Sequence, residues 1–476
     1  MSTEAIDVTG LDGGTVSLSA ADLDALAGGL DGPVLRAGDD GWDDAVRIWN
    51  GMVARVPAVV VRPTSAADVA AVVRFAAGHR LLTSVKGGGH NIAGTSIAPG
   101  GLTLDMSLMR QVDVDVEGRV VHVGPGCILR DVDTVTQEHG LAAILGFVSE
   151  TGVAGLTLGG GFGYLTRRYG WTVDTLREVE VVTADGQVLA ADHDREPELF
   201  WALRGGGGNY GIATRFTFSL FDVGPTVTGG LIAWPGARAD EVLRAYRQLT
   251  GSAPRELTAV CSVRLAPPAP FVPPEWHGKP IVAMVLCYTG ADAGTDLAPV
   301  RALGDPIFDL VMEKPYAAQQ QMLDATQPKG PHYYWKTEFV PSLPDEFLDT
   351  FRTAAEKVTS PMSQSMIFHL AGALNERPED DGAVGNRDAA YVTGFAGSWP
   401  PGDPRSGDHL DWVRSSWETI RPFSTGGNYV NFQLADDDAD RTEAAYRNNF
   451  ERLRKVKAEY DPDNLFRVNR NIAPPS

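Results

Sequence analysis

Apolar positions fall into two textures along the chain. Up to about residue 222 they form short β-branched runs broken by glycine clusters: Val59 to Val61, Leu81 to Val85 ahead of Gly87–Gly89, and Ile212 to Phe218 behind Gly205–Gly208. Such runs predict buried strands whose connecting backbone comes close to something. Between the first two, Pro63-Thr64-Ser65 with Asp68 predicts a capped helix start, and Gly78 its end. From about Thr226 the runs lengthen. Strands are predicted at 259–265, 281–288, 333–340, 366–374, 391–399 and 429–434, with helices at 239–250, 344–359 and 410–420. Strands and amphipathic helices in this order predict an α+β unit, an antiparallel sheet covered by helices on one face. Residues 440–460 carry Tyr446, Phe450, Leu453, Val456 and Tyr460 near helical spacing and predict one final helix ending at Asp461-Pro462.

The 476 residues, 43% hydrophobic and 21% charged, exclude a disordered or fibrous chain. A formal charge of −20 disfavours nucleic acid and anionic membrane as partners and favours a neutral or cationic small molecule. Cys127, Cys261 and Cys287 lie far apart with no CxxC spacing. A disulfide framework and a thiolate zinc site are therefore unsupported, no metal site is predicted, and a reducing cytoplasm is expected. The acidic opening MSTEAIDVTGLDGG shows no signal-peptide pattern, and the longest apolar stretches, such as Ile281 to Cys287, are too short to span a bilayer.

Candidate chemistry gathers at three places. Gly206-Gly207-Gly208-Asn209-Tyr210-Gly211 is a literal GxGxxG, but a helix is predicted before it and a strand after it, the reverse of a dinucleotide fingerprint. Lys86-Gly-Gly-Gly-His90-Asn91 follows a buried strand and suits a nest of backbone amides around an anion; a tight turn with a surface histidine is the alternative. In 429–434, strict alternation would put Tyr429, Asn431 and Gln433 on one face, lining either a polar pocket or solvent. His369 in its strand is by default a core residue, and the aromatic cluster with Tyr333 is by default packing.

Taken together, Pro57-AVVVRPTSAADVAAVVRFA, Lys86-GGGHN, Gly152-VAGLTLGGGFGYLTRRYG-Trp171-TVD, Leu199-FWALRGGGGNYGIAT and Tyr429-VNF with Tyr460-DPDNLFRVNRNI resemble the berberine bridge enzyme-like family of FAD-linked oxidases, within the vanillyl-alcohol oxidase (PCMH-type) superfamily. The resemblance implies a two-part FAD-binding domain, residues 1–222 and 440–476, with a substrate domain, 223–439, inserted between. It implies FAD joined covalently through His90. Lys86, Gly87, Gly88, Gly89, Asn91, Gly152, Gly155, Gly159, Gly160, Ile212, Asn469 and Asn471 would make the remaining cofactor contacts. Tyr429 would be the catalytic base, aided by Asn431, with Lys336 a candidate to lower its pKa and Tyr333 and His369 candidates to touch substrate. The second covalent link of many relatives, through cysteine, falls here on Val148, so a single link is expected. The family histidine of that segment falls on Leu156, and the position influencing oxygen access on Thr151. The expected reaction is hydride removal from a CH–OH group of a sugar, oligosaccharide or glycosylated natural product, with molecular oxygen as acceptor and hydrogen peroxide as product. Oxidation of a C–N bond, as in hydroxynicotine oxidase-like relatives, and a non-catalytic flavin-binding protein are the alternatives. A homodimer is left open.

Overall fold

The computed structural model describes residues 5–437 and 439–475. Three sheets organise it. The smallest runs in the order Val34–Leu35, Val59–Val61, Leu102–Asp105, Thr83–Lys86, its last three strands parallel. Val59–Val61 is buried on both faces, as a parallel strand covered by a helix should be. That helix, Ala66–Gly78, is capped by Ser65, whose side chain accepts from the Asp68 amide. Asp68 does not return to Ser65; its carboxylate gathers the amides of Thr64, Asp31 and Gly32, tying the incoming loop to the helix.

A five-stranded antiparallel sheet follows, in the order Val188–Ala191, Leu176–Val182, Ile212–Ser219, Val120–Val123, Val112–Asp115. The 205–211 loop lies between helix Pro197–Leu203 and strand Ile212–Ser219, the helix-to-strand order that disqualifies the GxGxxG match. The largest sheet has eight antiparallel strands. Its central strands are Leu257–Leu265, Gln364–His369 and Tyr391–Trp399, with His332–Val340 at one edge and Pro280–Tyr288 and Thr226–Pro235 toward the other. Helices Ala239–Ser252, Asp345–Ala355 and Ser406–Ile420 pack on one face. The opposite face meets the glycine loops, and the cavity described below lies between them. The whole is the α+β arrangement expected, with the glycine loops and two smaller sheets on one side of the cavity and the helix-covered antiparallel sheet on the other.

Three predicted elements differ. The strand expected over 366–374 runs Gln364–His369 and gives way to a 3₁₀ turn at Ala373–Glu376. Residues 429–434 form no strand: Val430–Phe432 is one turn of 3₁₀ helix, so Gln433 does not share a face with Tyr429 and Asn431. Its amide donates to Asn428 and to the Arg441 carbonyl. The single C-terminal helix is two, Ala439–Tyr446 and Phe450–Tyr460, because Arg447 takes a left-handed φ of 49° between them.

Candidate active site

A cavity of about 940 Å³ runs from the glycine loops to the large sheet. At one end Gly87, Gly88, Gly89, His90 and Asn91 form its wall. The strand Thr83–Lys86 delivers this loop, and the amides of Gly88, Gly89, His90 and Asn91 have no acceptor among the described residues. Four consecutive free N–H groups beside a cavity make an anion nest. A side chain at Gly88 would collide with the backbone of Gly152, since a Cβ would lie 2.6 Å from its Cα, so two glycine loops meet here backbone to backbone. His90 is half-buried against Trp49, their rings stacked at 4.3 Å, and Trp49 stacks in turn on Tyr333 at 3.7 Å. His90 Nε2 has no partner. Burial lowers its pKa to about 4, so the imidazole is neutral and its free nitrogen nucleophilic.

Gly159–Gly161 seats the second group. A Cβ at Gly159 would stand 2.2 Å from Asn431 Oδ1; without it the Asn431 side chain lies flat on the backbone. Asn431 Nδ2 donates to the Leu156 carbonyl at 3.2 Å and to the Tyr429 hydroxyl at 3.0 Å, and the Gly161 amide donates to the same hydroxyl at 3.1 Å. The phenol oxygen thus accepts two N–H bonds, while its own proton has no acceptor among the described residues. These donors favour the phenolate, but burial outweighs them and pushes the Tyr429 pKa up to about 12. Tyr429 and Asn431 both line the cavity, and Phe162 packs edge-on against the Tyr429 ring at 4.9 Å.

The sheet supplies the opposite wall. Alternation sends Val260, Ser262 and Arg264 of one strand and Gln364, Met366 and Phe368 of its neighbour toward the cavity. Ile281, Ala283 and Val285 extend the wall on the other side. It is mostly apolar up to its far end, and among the described residues no aspartate or glutamate lines any part of the cavity.

The structure brings together His90, Gly87–Gly89, Asn91, Gly152, Gly155, Gly159, Ile212, Asn469, Tyr429 and Asn431 on this one cavity. Six expected residues lie elsewhere. Lys86 turns away from the loop it precedes, donating to the carbonyls of Asp44 and Ala45 and pairing with Asp105 at 3.4 Å. Gly160 lies behind the Tyr429 ring, and Asn471 is exposed. Lys336 is in the right strand on the wrong face, held by Asp436 and Asp437 at 3.1 and 2.7 Å under the helices. No cation therefore approaches Tyr429 from that position. His369 faces the helix side too, stacked on Tyr391 at 5.3 Å. Tyr333 is a buried prop for Trp49, its hydroxyl donating to the Pro328 carbonyl. The sequence reading missed Trp49, for which no local signal exists, and Arg264, which period-two alternation of its predicted strand placed with Val260 and Ser262.

These features fit FAD: an unpartnered nest for the pyrophosphate, a neutral histidine with a free ring nitrogen, glycine backbone where side chains would intrude, and a large, mostly apolar cavity. Known proteins agree. Residues 57–192 match a family described as an FAD binding domain, and residues 428–473 one described as berberine and berberine like. An FAD-linked oxidoreductase of Dictyostelium discoideum is 30% identical over 451 residues, 94% of this chain and 95% of that protein. (R)-6-hydroxynicotine oxidase of Paenarthrobacter nicotinovorans is 30% identical over 458 residues, 94% of this chain and 97% of that one. The solved xylooligosaccharide oxidase of Myceliophthora thermophila superposes with a TM-score of 0.83 at 24% identity, covering 96% of this chain and 100% of that one, a likeness of fold. The chain belongs to the berberine bridge enzyme-like family of FAD-linked oxidoreductases.

Proposed function

We propose that this protein is a mono-covalent flavin oxidase, joined to FAD through His90, that oxidises a C–N bond of an apolar, largely aromatic amine. Bound FAD supplies a hydride acceptor. Residues 1–222 and 440–476 hold it, and residues 223–439 close over the substrate. The observation that carries the choice of bond is the state of Tyr429, a neutral phenol with a pKa of about 12 that has, among the described residues, no cation beside it and no carboxylate on the cavity wall. An alcohol must lose its O–H proton to a base as the hydride leaves carbon. A neutral amine loses only the hydride, because the nitrogen lone pair forms the C=N bond and the product departs as an iminium ion. The wall of Val260, Val285, Met366 and Phe368 would hold an apolar body and offers little to the hydroxyls of a sugar, the substrate class expected from the sequence. The 6-hydroxynicotine oxidase relative, by its name an oxidase of an aromatic alkaloid, supports the same choice. Tyr429 and Asn431 position the substrate through the free phenol proton. Molecular oxygen is the proposed acceptor, read as released hydrogen peroxide, and the cytoplasm the proposed location.

The alcohol reading survives on one observation, that a tyrosine hydroxyl with two N–H donors stands at the cavity wall. Anaerobic bleaching of the holoprotein by N-methylbenzylamine and by benzyl alcohol, in wild type and Tyr429→Phe, separates the two. We expect bleaching by the amine, rising with pH only to the amine's own pKa and falling less than about tenfold in the variant. Bleaching by the alcohol alone, with a loss of roughly 10² to 10⁴ in Tyr429→Phe, would establish the phenol as base and overturn the amine reading.

A further inference from the structure

The cavity is cationic inside a strongly acidic protein. Against a chain charge of −20, its wall carries Arg264, Lys314 and Arg470 and, among the described residues, no acid. The three buried arginines are all partnered: Arg387 holds Asp174 through two 2.7 Å bonds, Arg204 reaches Asp381 at 2.9 Å, and Arg167 spends its guanidinium on the carbonyls of Ala371, Pro254, Leu257 and Ala253. Arg264 has no carboxylate within ion-pair distance among the described residues. Its Nε meets the carbonyl of the adjacent Leu265 at 3.3 Å and its Nη1 donates to Gln364 Oε1 at 2.9 Å, which leaves Nη2 without a partner. Gln364, directly opposite in the sheet register, spends its oxygen on that bond, and its amide nitrogen has no acceptor. Two N–H donors, one on a guanidinium, therefore stand side by side and unused at the cavity wall. Around them are Pro267, Pro268, Phe271, Phe308 and Met362, which offer no competing acceptor side chain. Burial without an acid lowers the Arg264 pKa to about 10, the mark of a cation lacking its counter-charge.

We infer that Arg264 and Gln364 anchor a carboxylate carried by the substrate at the end of the cavity remote from Tyr429. Guanidinium and carboxylate match in geometry and charge, and the neighbouring amide adds a donor to the same oxygens. The span follows from the strand. Val260 pairs with Phe368, which packs on Phe162 beside Tyr429, so the Val260 row marks the reacting end. Arg264 lies four residues farther along the same strand, roughly 13 Å at the usual rise. The substrate would thus have an apolar body of about that length with an amine at one end and a carboxylate at the other. The chain's acidity, which alone favours a neutral or cationic ligand, is corrected locally by this wall. The inference rests on the proposal that the apolar wall is the substrate site.

Isothermal titration of the holoprotein with 6-phenylhexanoate and 6-phenylhexanamide tests it, since the probes differ only in head group. We expect the carboxylate to bind at least about tenfold more tightly, in line with a charge-assisted hydrogen bond. Arg264→Met should abolish the preference while leaving amide affinity and the flavin spectrum unchanged, and Lys314→Met should keep it. Equal affinities in wild type, binding of neither probe, persistence of the preference in Arg264→Met, or its loss in Lys314→Met overturns the assignment. The flavin spectrum of the same samples keeps the two ideas apart: yellow protein without head-group preference fails the anchor alone, and colourless protein fails the cofactor reading.

Discussion

His90 is neutral, half-buried and unpartnered at Nε2, and each property bears on how it would meet a flavin. A protonated imidazole has no lone pair to form a bond; one whose pKa is held near 4 is almost wholly neutral above about pH 5. Covalent incorporation should therefore be flat between about pH 6 and 9, whereas an unperturbed histidine would lose yield on acidification through its ordinary value of about 6.5. Acid precipitation of protein assembled across that range, with intact mass of the pellet, checks it: we expect one FAD of added mass throughout and none in His90→Ala. A supernatant that carries all the colour would remove the covalent link. At this scale the sequence was informative where backbone does the work. The glycines of 87–89 and 159 are legible because only glycine tolerates the approaches found there, 2.6 Å to Gly152 and 2.2 Å to Asn431. Trp49 was not legible, since its stacking on His90 joins residues from unrelated segments. Lys86 was carried over as a cofactor contact with the loop it precedes, while its actual partners, the carbonyls of Asp44 and Ala45, are announced by nothing in the sequence.

Elements were read better than their faces. The strand Tyr391–Trp399 was placed to the residue, and five long strands of the large sheet were found. Alternation divides a strand into two faces but does not say which one meets the cofactor: Lys336 and His369 were assigned to the site and lie on the helix side, whereas Tyr333 lies on the cavity side but behind Trp49. Thr226–Pro235 escaped because Gly229 and Gly230 interrupt its apolar run. Residues 429–432 alternate like a strand yet turn, and that turn lets Asn431 fold back onto Tyr429. Helix Leu129–Gln137 of the FAD-binding part meets Tyr316–Gln320, beside the large sheet, through a polar contact that no pattern predicts. There Asp133 is buried with Gln320 as its donor at 3.2 Å and no cation, and burial raises its pKa to about 7. In the folded chain Asp133 keeps its proton to about pH 7, and in the unfolded chain it loses it near 4. Between these values the folded state binds more protons, so raising the pH destabilises, by up to about 4 kcal/mol across the window, and the loss levels off above it. The stability of Asp133→Asn relative to wild type should rise steadily from about pH 4 to pH 7, so that the variant unfolds at clearly higher denaturant near pH 8 than its difference near pH 4 implies. Parallel pH profiles for the two proteins would show that Asp133 is not the group responsible.

Across the whole molecule, the chain's two ends of the cofactor part must be locked together for the cavity to exist. The C-terminal helix Phe450–Tyr460 packs on Pro197–Leu203, and Lys457, fully buried, donates to the carbonyls of Asn209 and Phe466 and pairs with Asp461 at 2.6 Å. Asp461 in turn accepts the amides of Leu465 and Phe466, and Asn209 accepts the amide of Ile472. The glycine loop 205–211, read from sequence as a failed nucleotide motif, thus receives the C-terminal segment and brings Asn469 and Arg470 to the cavity wall. Removing one partner of a buried pair strands the other charge, at a cost of about 3 to 5 kcal/mol. Lys457→Met should therefore lower the unfolding midpoint and release non-covalently held flavin during gel filtration, most clearly in a His90→Ala background where no covalent link retains it. Lys457→Met with Asp461→Asn should recover part of the loss, because the asparagine oxygen still accepts one amide and no buried charge remains. If the single and double variants are equally destabilised, the three hydrogen bonds of the ammonium, rather than the pairing of charge, hold the two segments together.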